Sequence, residues 1–292
     1  MNSQAILAIG VLIGFFVPAL SDALRPLLPV TVFMFVFGTL LRADVPLLRS
    51  AMRQPRVSIV LTSLTMIVLP LTVGYVLLAL SLPQALVAGV VLGLASPPSS
   101  TNAALARLFG YRGELPLALI ILTTLMTPFS MPFVAAFSGL VISSNALMVG
   151  LLKLLLGAVI LTLVVRWQWS TWIDKQASRI DGLIVGALFV FAIGSMQGVL
   201  EASWLHPSLT IMLASAAFLT NLAQQCLGLA LGSAEPRERI ALGLTLGNRN
   251  VGLPWAAMGA TLDPHVALYF AVAQLPIFLL PWMWTIVFKR LG

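Results

Sequence analysis

Ten apolar runs, each close to the length that crosses a bilayer, follow one another near 4–20, 26–41, 56–80, 84–109, 113–137, 145–165, 180–200, 207–231, 237–261 and 265–288. A hydrocarbon core about 30 Å thick takes roughly 20 residues of helix. Within it every backbone amide must be satisfied by its own segment, so each run is expected to be an α-helix. Of 292 residues, 60% are hydrophobic and 9% charged, against about 25% charged in a soluble domain. These features predict an all-α, multi-pass membrane protein with ten transmembrane helices. Met1 to Gln4 lack a basic region and the run from Ala5 lacks a small-residue cleavage pattern, so the first span is expected to be retained.

The formal charge of +7 would suit nucleic acid, but the charges fall in the connections between spans. Ten spans put Arg42, Arg49, Arg53, Arg56, Arg107, Arg112, Arg166, Lys175, Arg179, Arg237, Arg239, Lys289 and Arg290 on one face and Arg25 alone on the other. The positive-inside rule then predicts an inner (plasma) membrane protein with both termini cytoplasmic and no nucleic-acid partner. The single cysteine, Cys226, allows neither an internal disulfide nor a multi-thiolate metal site and reads as a small packing residue.

Two spans are interrupted: the fourth by "SPPSSTN" at 96–102, the ninth by "GNRN" at 247–250. Each is the fourth span of a five-span half, and Asn102 closes one break as Asn250 closes the other. An odd number of spans per half inserts the second half upside down. The expected organisation is therefore two inverted five-helix repeats, 1–140 and 141–292, with helices 4 and 9 crossing at the midplane, the layout of an inverted-repeat transporter. Unwound backbone at membrane depth needs protein or water around it, so the breaks should face each other.

Pro97 and Pro98 lack amide protons and free upstream carbonyls, while Ser99, Ser100, Thr101 and Asn102 add hydroxyl and amide groups. Ser99 or Ser100 could cap a half-helix continuing through Ala103 to Phe109, and a second half-helix begins near Gly252 and Pro254. Asn248, Arg249 and Asn250 complete a polar chamber suited to an anionic or strongly polar solute. Arg249 lies roughly 15 Å from either interface at 1.5 Å per residue, too far to snorkel. An arginine near the bilayer centre costs about 2.5–3.5 kcal/mol on insertion scales. Two roles offset that cost: capping the carbonyls freed at Pro97–Pro98, or meeting the charge of a solute. Lys153 sits closer to a span end and reads as interfacial. Thr123, Thr124 and Thr127 stack beside Pro128, where threonines often serve local carbonyls; Thr124 and Thr127 join the candidate solute-binding set. Glu114, Glu201, His206, Asp263 and His265 all fall at span ends, so no buried proton relay is evident. Trp282 and Trp284 suit an interfacial belt, and Trp255 either a belt or a pocket.

With these residues the chain resembles the bile acid:sodium symporter family and its wider ten-helix superfamily, nearly end to end. The likeness rests on "LRADVPLLRSAMRQPR" after span two, "SPPSSTNAALARLFGYRGEL" where the family has a Pro-Gly-Gly-Thr-Ala-Ser-Asn type break, "TLMTPFSMP" in span five, and "TLGNRNVGL" where the family has Glu-x-Gly-x-Gln-Asn-x-Gly-Leu. The resemblance implies a panel and a core subdomain, each drawing helices from both repeats, and an alternating-access cycle moving organic anions. It also places the family's ion ligands: Asn102 and Asn250 are retained, the sodium-binding glutamate falls at Thr245 and its glutamine at Arg249. The serine and threonine of span five fall at Pro116 and Ile120. Sodium prefers hard oxygens, and an adjacent guanidinium repels a cation in a low-dielectric site. Loss of the carboxylate and gain of Arg249 should abolish at least one of the family's two sodium sites.

The expected function is thus secondary transport of a small organic anion without obligatory sodium coupling, with the bilayer as the other partner, sodium as a degraded one, and no cofactor. A conventional sodium/organic anion symporter with rearranged ligands is the alternative, and a non-transporting receptor or scaffold a further one, since fold alone does not fix function. An arsenite-type permease of the same superfamily would want a cysteine in the fourth span, whereas Cys226 lies in the eighth. No constellation of nucleophile, base and metal marks an enzyme.

Overall fold

The computed structural model describes residues 3–43, 46, 49, 53–54, 56–99, 102, 114–138, 140, 142–232 and 235–291. It is helical throughout, with no strand among the described residues, and seven helices are long and apolar enough to cross a membrane. The chain is a multi-pass membrane protein by that measure. In order, the helices are α1 (Ser3–Phe16), α2 (Pro18–Leu41), α3 (56–79), α4 (Gln84–Ala95), α5 (Glu114–Phe137), α6 (Ser144–Lys175), α7 (Ala177–Leu205), α8 (Pro207–Leu231), α9 (Pro236–Gly247), α10 (Gly252–Met258) and α11 (Pro264–Leu291). The shorter pieces are α1 and the helices flanking the two breaks: α4 before the first, α9 and α10 around the second.

Proline decides where the first two helices part. Val17, held at φ −123° and ψ 73°, cannot continue α1 because a residue before proline is pushed out of the helical region, and Pro18 starts α2. The expected boundary at 20–26 therefore moves back, and Arg25 lies within the second span, in a single 3-10 turn, rather than in a connection. The sixth helix runs past its expected end at 165 to Lys175, bending at Trp169 (φ −133°, ψ 35°). Its last turns carry Trp167, Trp169 and Trp172, all exposed beside Arg166 and Lys175, a composition suited to the membrane interface. Cys226 is exposed on the bundle surface, contrary to its reading as a packing residue, because α8 turns its polar face inward instead. Lys153 is exposed as well.

Packing partners recur under an exchange of halves. Helix α1 packs on α7 and α2 on α6; α1 packs on α11 and α6 on α5; α3 packs on α4 and α8 on α9; α4 packs on α11 and α9 on α5. Small residues permit the closest of these approaches: a Cβ added at Gly228 of α8 would stand 2.6 Å from the Gly243 Cα of α9. Most buried apolar side chains form one continuous core, and Val57, Leu61, Leu119, Leu242 and Leu246 form a smaller one between α3, α5 and α9. At one end of the bundle, Arg42 pairs with Asp181 at 3.2 Å, Arg166 Nε donates to the Leu41 carbonyl at 3.1 Å, and Arg239 Nε donates to the Leu229 carbonyl at 2.9 Å. Arg25 lies at the opposite end, among Phe15, Glu201 and His265.

Candidate functional site

The two breaks meet. Ser96 (φ −68°, ψ 145°) precedes a proline and is held extended, and Asn248 (φ −91°, ψ 98°) is extended at the end of α9. The extended pieces lie antiparallel and form a short bridge between Pro98 and Arg249. Ser99 N donates to the Asn248 carbonyl and Asn250 N to the Pro97 carbonyl, each at 2.7 Å. These reciprocal bonds make Ser99 the counterpart of Asn250. Asn102, matched to Asn250 in the sequence, instead faces Asn248. Like residue types suggested one register, and main-chain geometry chose another three residues away.

Side-chain amides close the junction. Asn102 Nδ2 donates to the carbonyls of Asn248 (3.1 Å) and Thr245 (3.3 Å), and Asn248 Nδ2 donates back to Asn102 Oδ1 at 3.2 Å. Asn221 of α8 donates to the Gly247 carbonyl at 2.9 Å, and Gln225 Nε2 donates to Asn221 Oδ1 at 2.6 Å. The carbonyls that a helix break would leave bare are thereby satisfied without water, as a buried backbone group requires.

Arg249 is 3% exposed. Its Nε donates to Gln224 Oε1 at 2.6 Å and its Nη1 to the Ser96 carbonyl at 3.1 Å. The second bond reaches a carbonyl beside the Pro97–Pro98 pair, so the carbonyl-capping role holds for Arg249. Its Nη2 is buried with no hydrogen-bond partner. Neither the Arg42–Asp181 nor the His265–Asp263 ion pair involves Arg249.

Of the other expected site residues, Ser99 is buried at the bridge and Asn250 is half-buried there. Ser100 and Thr101 lie outside the described residues, as does the half-helix expected from Ala103 to Phe109. Thr245, at the family's glutamate position, is fully buried with its hydroxyl donating to the Ala241 carbonyl at 2.6 Å. Pro116 and Ile120 are buried on α5. Thr123 donates to the Leu119 carbonyl and Thr127 to the Thr123 carbonyl, so both commit their protons within α5; Thr124 is buried beside them. Among the described residues of the crossover these groups bond one another, and the cavity beside Arg249 measures about 20 Å³.

A cavity of about 710 Å³ lies at the Arg25 end of the bundle, within the range of roughly 300–1,000 Å³ common to small-molecule sites. Its wall combines Phe15, Leu209, Leu268 and Trp204 with Asp22, Arg25, Glu201, His206 and His265. Arg25 stacks over Trp255, 4.5 Å from the ring centroid. Trp255, one turn beyond Val251, packs edge-on against Phe191 (6.4 Å) and tilted against Phe270 (6.0 Å). Trp255 lines the large cavity, and Val251, one turn earlier, lines the small one beside Arg249. The turns at the cavity rim need Gly198 (φ 74°) and Gly259 (φ 53°), backbone conformations that cost an L side chain about 1–3 kcal/mol.

Sequence reasoning had missed Asn221, Gln224 and Gln225. Their spacing of i, i+3 and i+4 marks one polar face on an otherwise apolar helix, and such a stripe inside a membrane span must face protein. No protein-family model matches the chain, and no curated protein matches it. The functional reading therefore rests on residues and geometry.

Proposed function

We propose that the chain is a secondary transporter that carries a small organic anion across a bacterial inner membrane by alternating access, without obligatory sodium coupling. The proposed architecture is ten transmembrane helices in two inverted five-helix repeats, both termini cytoplasmic, with the interrupted fourth and ninth spans crossing near mid-depth. The exchange of packing partners between the halves supports this reading, as does the reciprocal bonding of Ser99 with Asn248 and Asn250 with Pro97. The arginine-rich end, where Arg42, Arg166 and Arg239 sit, is the cytoplasmic one. The large cavity then opens outward, its apolar wall carrying Asp22 and Glu201 as well as Arg25.

One observation carries the sodium-free reading. Arg249, buried at the junction of the breaks, bonds Gln224 and the Ser96 carbonyl at the position where the resembled family places a cation ligand. A permanent guanidinium there does the cross-linking that a dissociable ion would otherwise do. At an effective dielectric of about 20, two unit positive charges 4 Å apart repel by about 4 kcal/mol, enough to expel sodium from the same pocket.

The test is uptake of small carboxylates and amphipathic organic anions into proteoliposomes, with and without an inward sodium gradient. Uptake or exchange that proceeds equally in both supports the proposal. Accumulation that requires sodium points to a conventional symporter instead, and absence of transport for every anion tried points to a receptor or scaffold.

A further inference from the structure

The α1–α2 junction, the α7–α8 junction and the α10–α11 connection converge at the Arg25 end of the bundle and enclose the cavity of about 710 Å³. They bring opposite charges to one concave wall. Half-buried Arg25 lies over Trp255, 4.5 Å from the ring centroid, so the ring covers one face of the guanidinium. The N–H donors lie in the guanidinium plane, and among the described residues none of them makes a hydrogen bond or an ion pair. Asp22, one turn before Arg25, and Glu201 of α7 line the same cavity, and neither pairs with Arg25. His206 and His265 complete the charged and titratable groups of the wall. With both histidines neutral, two carboxylates stand against one guanidinium. A plain anion gains Arg25 and is repelled by Asp22 and Glu201, while a plain cation gains the carboxylates and is repelled by Arg25. A molecule that carries both charges satisfies all three groups.

We propose that this cavity binds an amphipathic zwitterion, with a carboxylate or phosphate on Arg25, an ammonium on Asp22 and Glu201, and an apolar body against Phe15, Leu209 and Leu268. The planar fork of an arginine takes either anionic group through paired hydrogen bonds. Apolar lining with a few convergent polar groups is the usual composition of a small-molecule site. The assignment goes beyond the transport reading and needs only the cavity and its charges, so binding without flux leaves it standing.

The experiment measures binding to the purified full chain in detergent at neutral pH, by calorimetric titration beside thermal unfolding. The probes share one phenylethyl body: L-phenylalanine carries both charges, hydrocinnamate only the carboxylate and phenethylamine only the ammonium. Phenylalanine should bind about ten-fold tighter or more than either of the others, roughly the worth of one charge-assisted hydrogen bond. Arg25→Gln should weaken phenylalanine and hydrocinnamate and spare phenethylamine. Asp22→Asn with Glu201→Gln should weaken phenylalanine and phenethylamine and spare hydrocinnamate; both side chains are exposed, so this variant should fold even if Arg25→Gln does not. Dihexanoylphosphatidylethanolamine, which carries phosphate and ammonium on a lipid, separates the two sources of such a ligand: a response to it alone assigns the site to a headgroup, a response to phenylalanine to a free solute. Hydrocinnamate binding as tightly as phenylalanine, zwitterion binding that ignores the charge variants, or no binding of either zwitterion would overturn the proposal.

Discussion

Arg249 Nη1 donates to the Ser96 carbonyl across 3.1 Å, so a side chain from the second half of the chain satisfies main chain beside the Pro97–Pro98 pair of the first. The same guanidinium holds Gln224 of α8. Removing it should therefore strip two partners at once. Arg249→Met is expected to lower stability by about 1–3 kcal/mol, as loss of buried hydrogen bonds to a charged group does, with the double variant Arg249→Met/Gln224→Leu recovering part of that loss because both partners become apolar. Thermal unfolding of the two variants checks the ordering. Equal stability of the double and single variants would argue against the pairing.

The reciprocal amides of Asn102 and Asn248 predict strong coupling. Either Asn102→Ala or Asn248→Ala leaves buried carbonyl or amide groups bare, at a cost of about 1–3 kcal/mol each. Together they should cost less than the two added, by 0.5 kcal/mol or more, the signature of a shared network. A double-mutant cycle on unfolding midpoints reads this directly, and additive losses would contradict the contact.

Reversal of charge at the crossover tests the replacement of sodium by arginine. Arg249→Glu restores a carboxylate near hard oxygens, so it should weaken anion uptake and make either stability or transport respond to sodium. The readout is a sodium titration in potassium-balanced buffer. An unchanged Tm, unchanged uptake and no sodium response would remove Arg249 from any central role.

In the large cavity, Arg25→Gln keeps much of the side-chain bulk and removes the charge stacked on Trp255. A cation–π contact is worth about 0.5–2 kcal/mol, so stability should change little while the KM for an organic anion rises several-fold. Uptake kinetics beside a thermal melt separate the two effects.

Close helix contact predicts a purely steric lesion. At Gly228, a methyl group would meet Gly243 backbone at 2.6 Å, which neither rigid helix can yield cheaply. Gly228→Ala should cost about 1–3 kcal/mol through overpacking, whereas Gly186→Ala on α7, with open space around it, should be neutral or slightly stabilising. Paired melts of the two variants give the comparison.

Much of this arrangement was legible because it violates the rules of a membrane span. Two prolines in succession and an arginine between asparagines stand out against apolar sequence, and each violation demanded a partner inside the protein. What the letters could not give was who the partners were. Gln224 and Asn221 lie on a helix that reads simply as a span, and their role follows from which face the bundle turns inward. Arg25 was misplaced because Pro18 looked like the tail of one helix when it is the head of the next. That Asn102 and Asn248 would spend their amides on each other was not legible, since letters show that polar groups meet and not which of them pair. The register differed for a similar reason, because Asn102 and Asn250 match as letters while the backbone bonds Ser99 to Asn248 and Asn250 to Pro97.

The Pro98–Arg249 bridge is made of main-chain atoms, and main-chain atoms do not change when a codon does. A latch of this kind leaves the neighbouring side chains free to change while the two breaks stay fastened.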